Sequence, residues 1–264
     1  MLNQSQLAII KKDVTAIMFN KRLFPVLLII PIVFSIIMPI VFICVVIFTP
    51  DTSDDFYQML SLVTQINENQ DVREVLLSLI MNSVLPIFFI LIPIMTSTVM
   101  AASSFVGEKE RRTLETLFYS PITLKQIFKS KIMASLSLSM FVTFSSFLLM
   151  LVVSQLTLIF INGSNLSINL INWSIILLLL TPSISLLSIT LIVNGSAKSQ
   201  SVEEAQQRSV FLIIPLILLL IGQFSGILLV NAFLLIILAF LFFILAMISM
   251  HASSKKFNYE TLLK

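Results

Sequence analysis

GEKERRTLETLFYSPITLKQIFKSK, residues Gly107–Lys131, is the stretch in which charge interrupts a long apolar sequence. Nine of the 29 charged side chains (16 Lys and Arg plus 13 Asp and Glu) fall in these 25 positions. The flanking runs Leu79–Val106 and Ile132–Ala197 contain no Asp, Glu, Lys or Arg. A charged, helix-prone insert between two membrane-length segments has little reason to exist unless it contacts something in water. We therefore expect this insert to bind a partner outside the bilayer.

Composition predicts a membrane protein. Hydrophobic residues make up 58% and charged residues 11% of the chain, whereas a soluble domain carries about 25% charged residues. Six apolar segments within residues 24–250 are each near or above the roughly 20 residues that a helix needs to cross a bilayer. Their limits are 24–48, 79–106, 132–160, 171–193, 210–229 and 232–250. The predicted fold is all-α and polytopic, with six transmembrane helices.

The boundary between the last two segments has two interpretations. Residues 210–250 form one apolar run, interrupted by Gly222, Gln223, Gly226 and Asn231. A turn near Asn231 gives two short spans, whereas a turn between the two glycines gives a re-entrant first half. The glycines also form a G-x-x-x-G pattern, which fits helix packing equally well. We favour two spans.

Lys and Arg are distributed asymmetrically. Six spans place the N-terminus, the second–third loop, the fourth–fifth loop and the C-terminal tail 251–264 on one side, with 15 of the 16 Lys and Arg residues. The opposite side has Arg73 alone, next to the acidic external segment 51–78. The positive-inside rule therefore predicts a multi-pass protein of the cell membrane with both termini in the cytoplasm. The net charge of +3 is then explained by the Lys and Arg residues on the cytoplasmic side, where they contact the lipid bilayer. We expect no nucleic-acid partner.

Helical periodicity flanks the first span on both sides. Within residues 1–23, apolar residues recur at i, i+3, i+4 spacing, which predicts an amphipathic helix in the cytoplasmic interface. These apolar positions are Leu7, Ile10, Val14, Ile17 and Met18. Lys11, Lys12 and Asp13 fall elsewhere on the helical wheel. Similar spacing in the external segment predicts an acidic helical cap.

The predicted spans argue against several functions. They hold no ionisable residue for ion coupling and no base for an intramembrane hydrolase, and the sequence has no P-loop motif. Cys44 and His251 are the only cysteine and histidine, so they offer neither a disulfide nor a metal cluster. We expect no catalytic, cofactor-binding or metal site in this chain, and an energy source elsewhere. Trp173 is interpreted as an interface anchor.

Hydroxylated residues form a stripe on each of two spans. The positions are Ser135, Ser139, Thr143 and Ser146 in the third span, and Ser174, Thr181, Ser185 and Ser188 in the fourth. Such stripes either pack helices closely or line a pathway for a polar or amphipathic molecule. Prolines are expected to bend the spans. They are Pro31, Pro39, Pro86, Pro93, Pro182 and Pro215.

The sequence of the insert predicts two separate helical segments. Acid–base pairs at i,i+4 spacing support a helix from Gly107, and Leu114, Leu117 and Phe118 give it an apolar face. Pro121 ends that helix. Thr123 to Gln126 then matches a capping box, which predicts a new helix entering the third span.

The same insert resembles the E-x-E-x-G-T-L-E-x-L-x-x-S/T-P segment of ABC-2-type permeases, the membrane subunits of ATP-binding-cassette exporters. After the fourth span, AKSQSVEEAQQRSVFLIIPL (197–216) resembles the second cytoplasmic loop of that family. Chain length, six spans, cytoplasmic termini and an amphipathic N-terminal helix agree over essentially the whole chain. Arg112 departs from the glycine that many members have before Thr-Leu-Glu, so the local turn is expected to be more helical.

The resemblance implies that 107–131 is a coupling loop whose coupling helix docks on a separate ABC ATPase subunit. The docking residues that it implies are Glu108, Arg111, Arg112, Thr113, Leu114, Glu115 and Leu117. A secondary contact would come from Glu203, Glu204 and Gln206 in the second loop. The implied complex holds two ATPase copies, which bind ATP and Mg, and a second permease chain, identical or sister.

The uncharged spans and this resemblance together predict an ABC exporter for an amphipathic or hydrophobic substrate, such as a peptide, a drug or a lipid-like compound. The short external segment argues against a sodium-ion extrusion permease of the same family, which remains the nearest alternative. The other alternative is a membrane facilitator or assembly protein that works without an ATPase.

Overall fold

The described part of the chain folds almost entirely into helices. The computed structural model describes residues 4–21, 23–48, 72–110, 123–162, 167–196, 199, 201–224 and 231–256. Across these residues there is no strand, and six helices are long and apolar enough to cross a membrane. The protein is therefore an all-α polytopic membrane protein, which confirms the fold class predicted from the sequence.

One helix precedes the six spans. This N-terminal helix is Gln4–Met18. The spans, numbered first to sixth, are Leu23–Phe48, Arg73–Glu110, Gln126–Ile161, Leu170–Ser196, Val202–Gln223 and Ala232–His251. The helix of the third span covers Leu124–Asn162 and that of the sixth covers Ala232–Lys256. The fifth is composite: a short helix, Val202–Gln207, a 3-10 turn, Arg208–Leu212, and a helix, Ile213–Phe224.

Two of the predicted loops lie outside the described residues. The first is the external segment up to residue 71, where the acidic cap was predicted; the helix Val72–Leu79 that follows belongs to the second span. The second is the turn between the fifth and sixth spans, residues 225–230. The sixth span starts after Asn231, whose Oδ1 accepts a hydrogen bond from Leu234 N at 2.9 Å.

Three spans contain a wide π turn, and each of these turns ends two residues before a proline. The turns are Val33–Ile37, Ile80–Val84 and Ile176–Leu180, and the prolines are Pro39, Pro86 and Pro182. Proline has no N–H, and its ring clashes with the carbonyl four residues earlier. An i→i+5 turn placed just before it relieves that clash. These prolines therefore widen the helices locally, while the helices continue through them.

The second and fourth spans form the centre of the bundle. Most of the apolar part of the fourth span is buried (67%), compared with 19% of the fifth. Trp173, at the start of the fourth span, is 1% exposed and packs against Phe89 and Phe147 with ring centroids 5.2 Å and 5.0 Å away. Its interpretation as an interface anchor is therefore wrong: the indole lies in the core because two aromatic rings from neighbouring spans enclose it.

Candidate functional site

The charged insert meets the bundle at one end, called the basic end here. The basic end consists of the N-terminal helix, the C-terminal end of the second span, the start of the third span and the short helix Val202–Gln207. The capping box predicted at Thr123 is confirmed. The Thr123 N–H donates to Gln126 Oε1 at 3.1 Å, and the Thr123 Oγ1 accepts from Gln126 N at 3.4 Å.

The middle of the insert, residues 111–122, lies outside the described residues. Six of the seven predicted docking residues fall there. They are Arg111, Arg112, Thr113, Leu114, Glu115 and Leu117. The seventh, Glu108, is described and is only 8% exposed. Its carboxylate lies inside the chain's own fold, and a contact with an ATPase stays a prediction.

Glu108 belongs to a charge cluster with Lys12, Asp13, Ser104 and Lys131. Lys131 is 2% exposed, and its Nζ donates to Glu108 Oε2 at 2.5 Å. The same Nζ also contacts the Ser104 carbonyl oxygen and lies 3.3 Å from the Ser104 hydroxyl. A buried ammonium without such partners would be strongly destabilised. The second and third spans are therefore joined at the basic end by a buried ion pair.

The N-terminal helix contributes the other two charges of this cluster. Lys12 Nζ lies 2.6 Å from Glu108 Oε1, and the Ser104 hydroxyl donates to Asp13 Oδ2 at 2.6 Å. Burial raises the pKa of Asp13 above its ordinary value, while Lys131 and the Ser104 hydroxyl act against that rise. With all four groups ionised, the two acids balance the two bases. The cluster thus ties three helices together and carries no formal net charge.

A small cavity of about 200 Å³ borders the charge cluster. Its lining residues are Lys12, Asp13, Ala16, Ile17, Ser103, Ser104, Gly107 and Glu108. It lies between the N-terminal helix and the end of the second span. The contact between these two helices is therefore polar and incompletely filled.

Of the five members of the cluster, only Glu108 is among the predicted site residues; Lys12, Asp13, Ser104 and Lys131 are not. The sequence places Asp13 away from the apolar positions of the N-terminal helix, yet it is 5% exposed and faces the second span. The helix buries Gln6, Ile9 and Ile17 on the same side, and their i, i+3, i+4 spacing with Asp13 could have revealed this second face. Lys131 precedes the predicted start of the third span by one residue, on the helix predicted to enter it, and nothing in the sequence indicates that its side chain is buried.

The predicted secondary contact also lies at the basic end. Glu203 and Glu204 are exposed on the helix Val202–Gln207, and Gln206 is partly buried. Val202 on the same helix is buried and packs over Gly107, close to the charge cluster. The structure thus brings the second loop next to the described end of the insert.

The two hydroxyl stripes meet at one point in the interior of the bundle. Ser139 Oγ lies 3.0 Å from both Thr96 Oγ1 and Ser185 Oγ, and it is 3.1 Å from the Pro93 carbonyl oxygen. All three hydroxyl side chains are completely buried. This hydroxyl junction links the second, third and fourth spans by short hydrogen bonds, which is typical of close helix packing.

The other stripe residues are buried along the same spans, except Ser174, which is exposed and does not belong to the buried face. Ser135, Thr143, Ser146 and Ser188 each donate to a carbonyl four residues earlier in their own helix, and Thr181 is also buried. Ser146 alone among the eight lines a large apolar groove on the flank of the bundle. The arrangement favours packing, and a pathway through these residues stays a prediction.

The fold and the charged insert define a class: a helical, multi-pass membrane protein that presents a charged loop at one end of its bundle. Residues 7–229 match the model of the ABC-2 family transporter proteins. The chain belongs to this family, and the match includes all five members of the charge cluster. Comparison with curated proteins gives no match.

Proposed function

We propose that this chain is the permease subunit of an ATP-driven exporter that moves an amphipathic or hydrophobic substrate out of the cell. A peptide, a drug or a lipid-like compound fits this description. A separate ABC ATPase, present in two copies and binding ATP and Mg, supplies the energy, and a second permease chain, identical or sister, completes the pathway. This chain contributes no catalytic group. It lies in the cell membrane with both termini in the cytoplasm.

The observation that carries the proposal is the charge cluster at the ends of the insert. Glu108 lies just before residues 111–122, and Lys131 follows them on the helix of the third span. A force applied to the loop by an ATPase therefore acts on two spans that an ion pair joins. Lys12 and Asp13 extend the connection to the N-terminal helix. The family assignment supports an ATPase as the source of that force.

The substrate class is inferred from the kinds of side chain in the interior of the spans. Among the described residues, charged side chains lie at the ends of the spans, whereas the interior holds hydroxyls and apolar groups. A strongly ionic substrate would need compensating charges inside the bilayer. An amphipathic molecule needs only apolar surface and a few hydrogen-bonding groups.

Co-purification tests the complex. The tagged chain, extracted from its own membranes in mild detergent, should retain a P-loop ATPase, and the purified complex should hydrolyse ATP. Recovery of the chain without any ATPase, under conditions in which it stays folded, would contradict the proposal and favour a facilitator or assembly protein.

Reversal of one charge in the loop tests docking. Glu115→Lys should weaken ATPase binding by on the order of 1–3 kcal/mol, roughly 5- to 150-fold, because it removes helix support and places a like charge against a complementary surface. The matched control is Glu74→Lys, an exposed acid at the other end of the second span. Binding that survives Glu115→Lys unchanged would indicate that the insert is only a linker.

A further inference from the structure

An apolar groove of about 690 Å³ runs along one flank of the bundle. Its floor is the N-terminal helix at Val14 and Met18, and its walls are the first span at Leu28 and the third span at Phe141 and Leu149. The volume lies in the range of roughly 300–1,000 Å³ that is typical of small-molecule sites. Its size and position suit an extended apolar chain.

The groove opens toward the surface that faces lipid. Met18, Phe141 and Leu149 on its edge are each at least 41% exposed, as expected of side chains that meet hydrocarbon. Polar groups are few among its lining residues: Ser146 is buried, and the Ser145 hydroxyl donates to carbonyls of its own helix. The groove therefore favours a hydrocarbon chain over a polar ligand.

The end of the groove at the N-terminal helix carries a basic edge. Lys11 is exposed. It lies on the same helical face as Val14 and Met18, which follow it at i+3 and i+7. Lys21 follows the helix at the entrance to the first span and is also exposed. Asp13 is the only acid in residues 1–23, and it is buried against the second span. A negatively charged group beside the groove would thus meet only cations from this segment.

We propose that the groove binds an acyl chain of an anionic phospholipid, with the lipid phosphate held by Lys11 and Lys21. The lipid comes from the leaflet that contains the N-terminal helix. Basic residues at an interface attract anionic head groups by about 1 kcal/mol each, while burial of the chain follows from the hydrophobic lining. The proposed lipid site goes beyond the export function, and neither lysine belongs to the charge cluster.

Native mass spectrometry of the full-length protein, with any subunits that purify with it, tests the head-group site. Phosphatidylglycerol and phosphatidylcholine are titrated separately, and the first bound lipid is measured for each. Wild type should bind phosphatidylglycerol more tightly. Lys11→Gln with Lys21→Gln should weaken phosphatidylglycerol binding by about fivefold for each lysine, whereas Lys129→Gln, an exposed lysine on the third span, should not. Equal affinities of wild type for the two lipids would overturn the proposal.

A filling substitution tests the groove. Ser145→Trp should abolish binding of the first lipid, because Ser145 is exposed and lines the groove, so that the larger side chain would fill it. Val152→Trp lies two turns further along the same face, outside the lining, and should leave binding unchanged. Unchanged binding in Ser145→Trp would overturn the proposal. So would a Ser145→Trp variant that dissociates into single permease chains, since the groove would then be a contact between copies.

A competition experiment separates a lipid from a transported substrate. If rhodamine 6G, a hydrophobic cation, binds wild type, loses binding in Ser145→Trp and is not displaced by phosphatidylglycerol, the groove is a substrate site and the proposal fails. Displacement of the dye by phosphatidylglycerol, and not by phosphatidylcholine, supports the lipid site. Neither result depends on whether an ATPase is recovered with the protein.

Discussion

Two polar regions join the second and third spans, and their chemistry differs. At the basic end, Glu108 and Lys131 form a buried ion pair. About two helical turns further along the third span, the contact is the neutral hydroxyl junction of Thr96 and Ser139. Separation of the ion pair would leave a charge in a low-dielectric interior. Separation of the hydroxyls costs less, because each can turn back to a carbonyl of its own helix.

The difference suggests how the bundle transmits a movement. Helices that are locked together at the basic end must follow one another when the loop between them is displaced. Helices that meet through hydroxyls further inside can shift against each other at a modest cost, since such contacts in membranes average about 0.6 kcal/mol. A firm connection near the loop and a yielding contact in the interior are consistent with the ATPase-driven permease that we propose.

The largest expected effect concerns the ion pair. Lys131→Met keeps the size of the side chain but leaves Glu108 without its buried partner, which should lower the free energy of unfolding by roughly 3–5 kcal/mol. Lys129→Met, exposed and two residues earlier on the same helix, should have little effect. Thermal unfolding in detergent measures both variants. Adding Glu108→Gln to Lys131→Met should restore part of the loss, because without Lys131 the cluster holds two acids and one base and the second change removes the excess negative charge.

If Lys131→Met is as stable as Lys129→Met, the ion pair does not hold the basic end. The comparison between a firm and a yielding contact would then fail. A double variant that is no more stable than Lys131→Met alone would show that the lysine acts by packing against Phe105, whose ring centroid lies 5.3 Å from its Nζ.

The next effect concerns the hydroxyl junction. Ser139→Leu should lower stability by about 1–3 kcal/mol, because extra methyl groups must fit between three packed helices. Ser139→Ala should cost about 1 kcal/mol or less, and Ser137→Leu, exposed on the same helix, should cost little. Thermal unfolding of the three variants separates the two interpretations of the stripes. A stable Ser139→Leu protein that has lost export would support a pathway.

The sequence predicts those parts of the fold that depend on local pattern. Long apolar runs predict six spans because each run is long and apolar enough to cross the bilayer without help from the rest of the chain. The Thr123 capping box predicts a helix start because its hydrogen bonds lie within four residues. The bounds of the spans are less predictable, since polar ends such as Arg73 and Lys109 continue the helices beyond the apolar core.

The charge cluster was only partly predictable, because the contacts that Lys12 and Asp13 make join residues more than 90 positions apart. Asp13 and Ser104 are such a pair, and nothing in either segment alone indicates the other. Glu108 and Lys131 are visible as charges at the edges of apolar runs, yet their burial depends on how the helices pack. Trp173 shows the same limit: a tryptophan near the end of a span is typical of an interface, and neighbouring rings placed it in the core instead.

The smallest expected effect is a pH dependence that originates at Asp13. Burial raises its pKa in the folded chain, against the opposing influence of Lys131 and the Ser104 hydroxyl, while Glu108 adds to the rise. The folded protein therefore binds the Asp13 proton more readily than the unfolded chain does, and this contribution to stability is lost as pH rises from the unfolded value of about 4 through the raised folded-state pKa. The Asp13→Asn variant lacks this titration, so wild type should lose stability relative to it over that interval. Thermal unfolding at several pH values measures the stability difference between the two proteins, which should stop changing with pH above the folded-state pKa. A wild type that instead gains stability relative to Asp13→Asn would mean that ion pairing outweighs burial. Ser104→Ala sharpens the test: it removes the hydrogen bond that lowers the pKa, so the loss of stability should extend to higher pH.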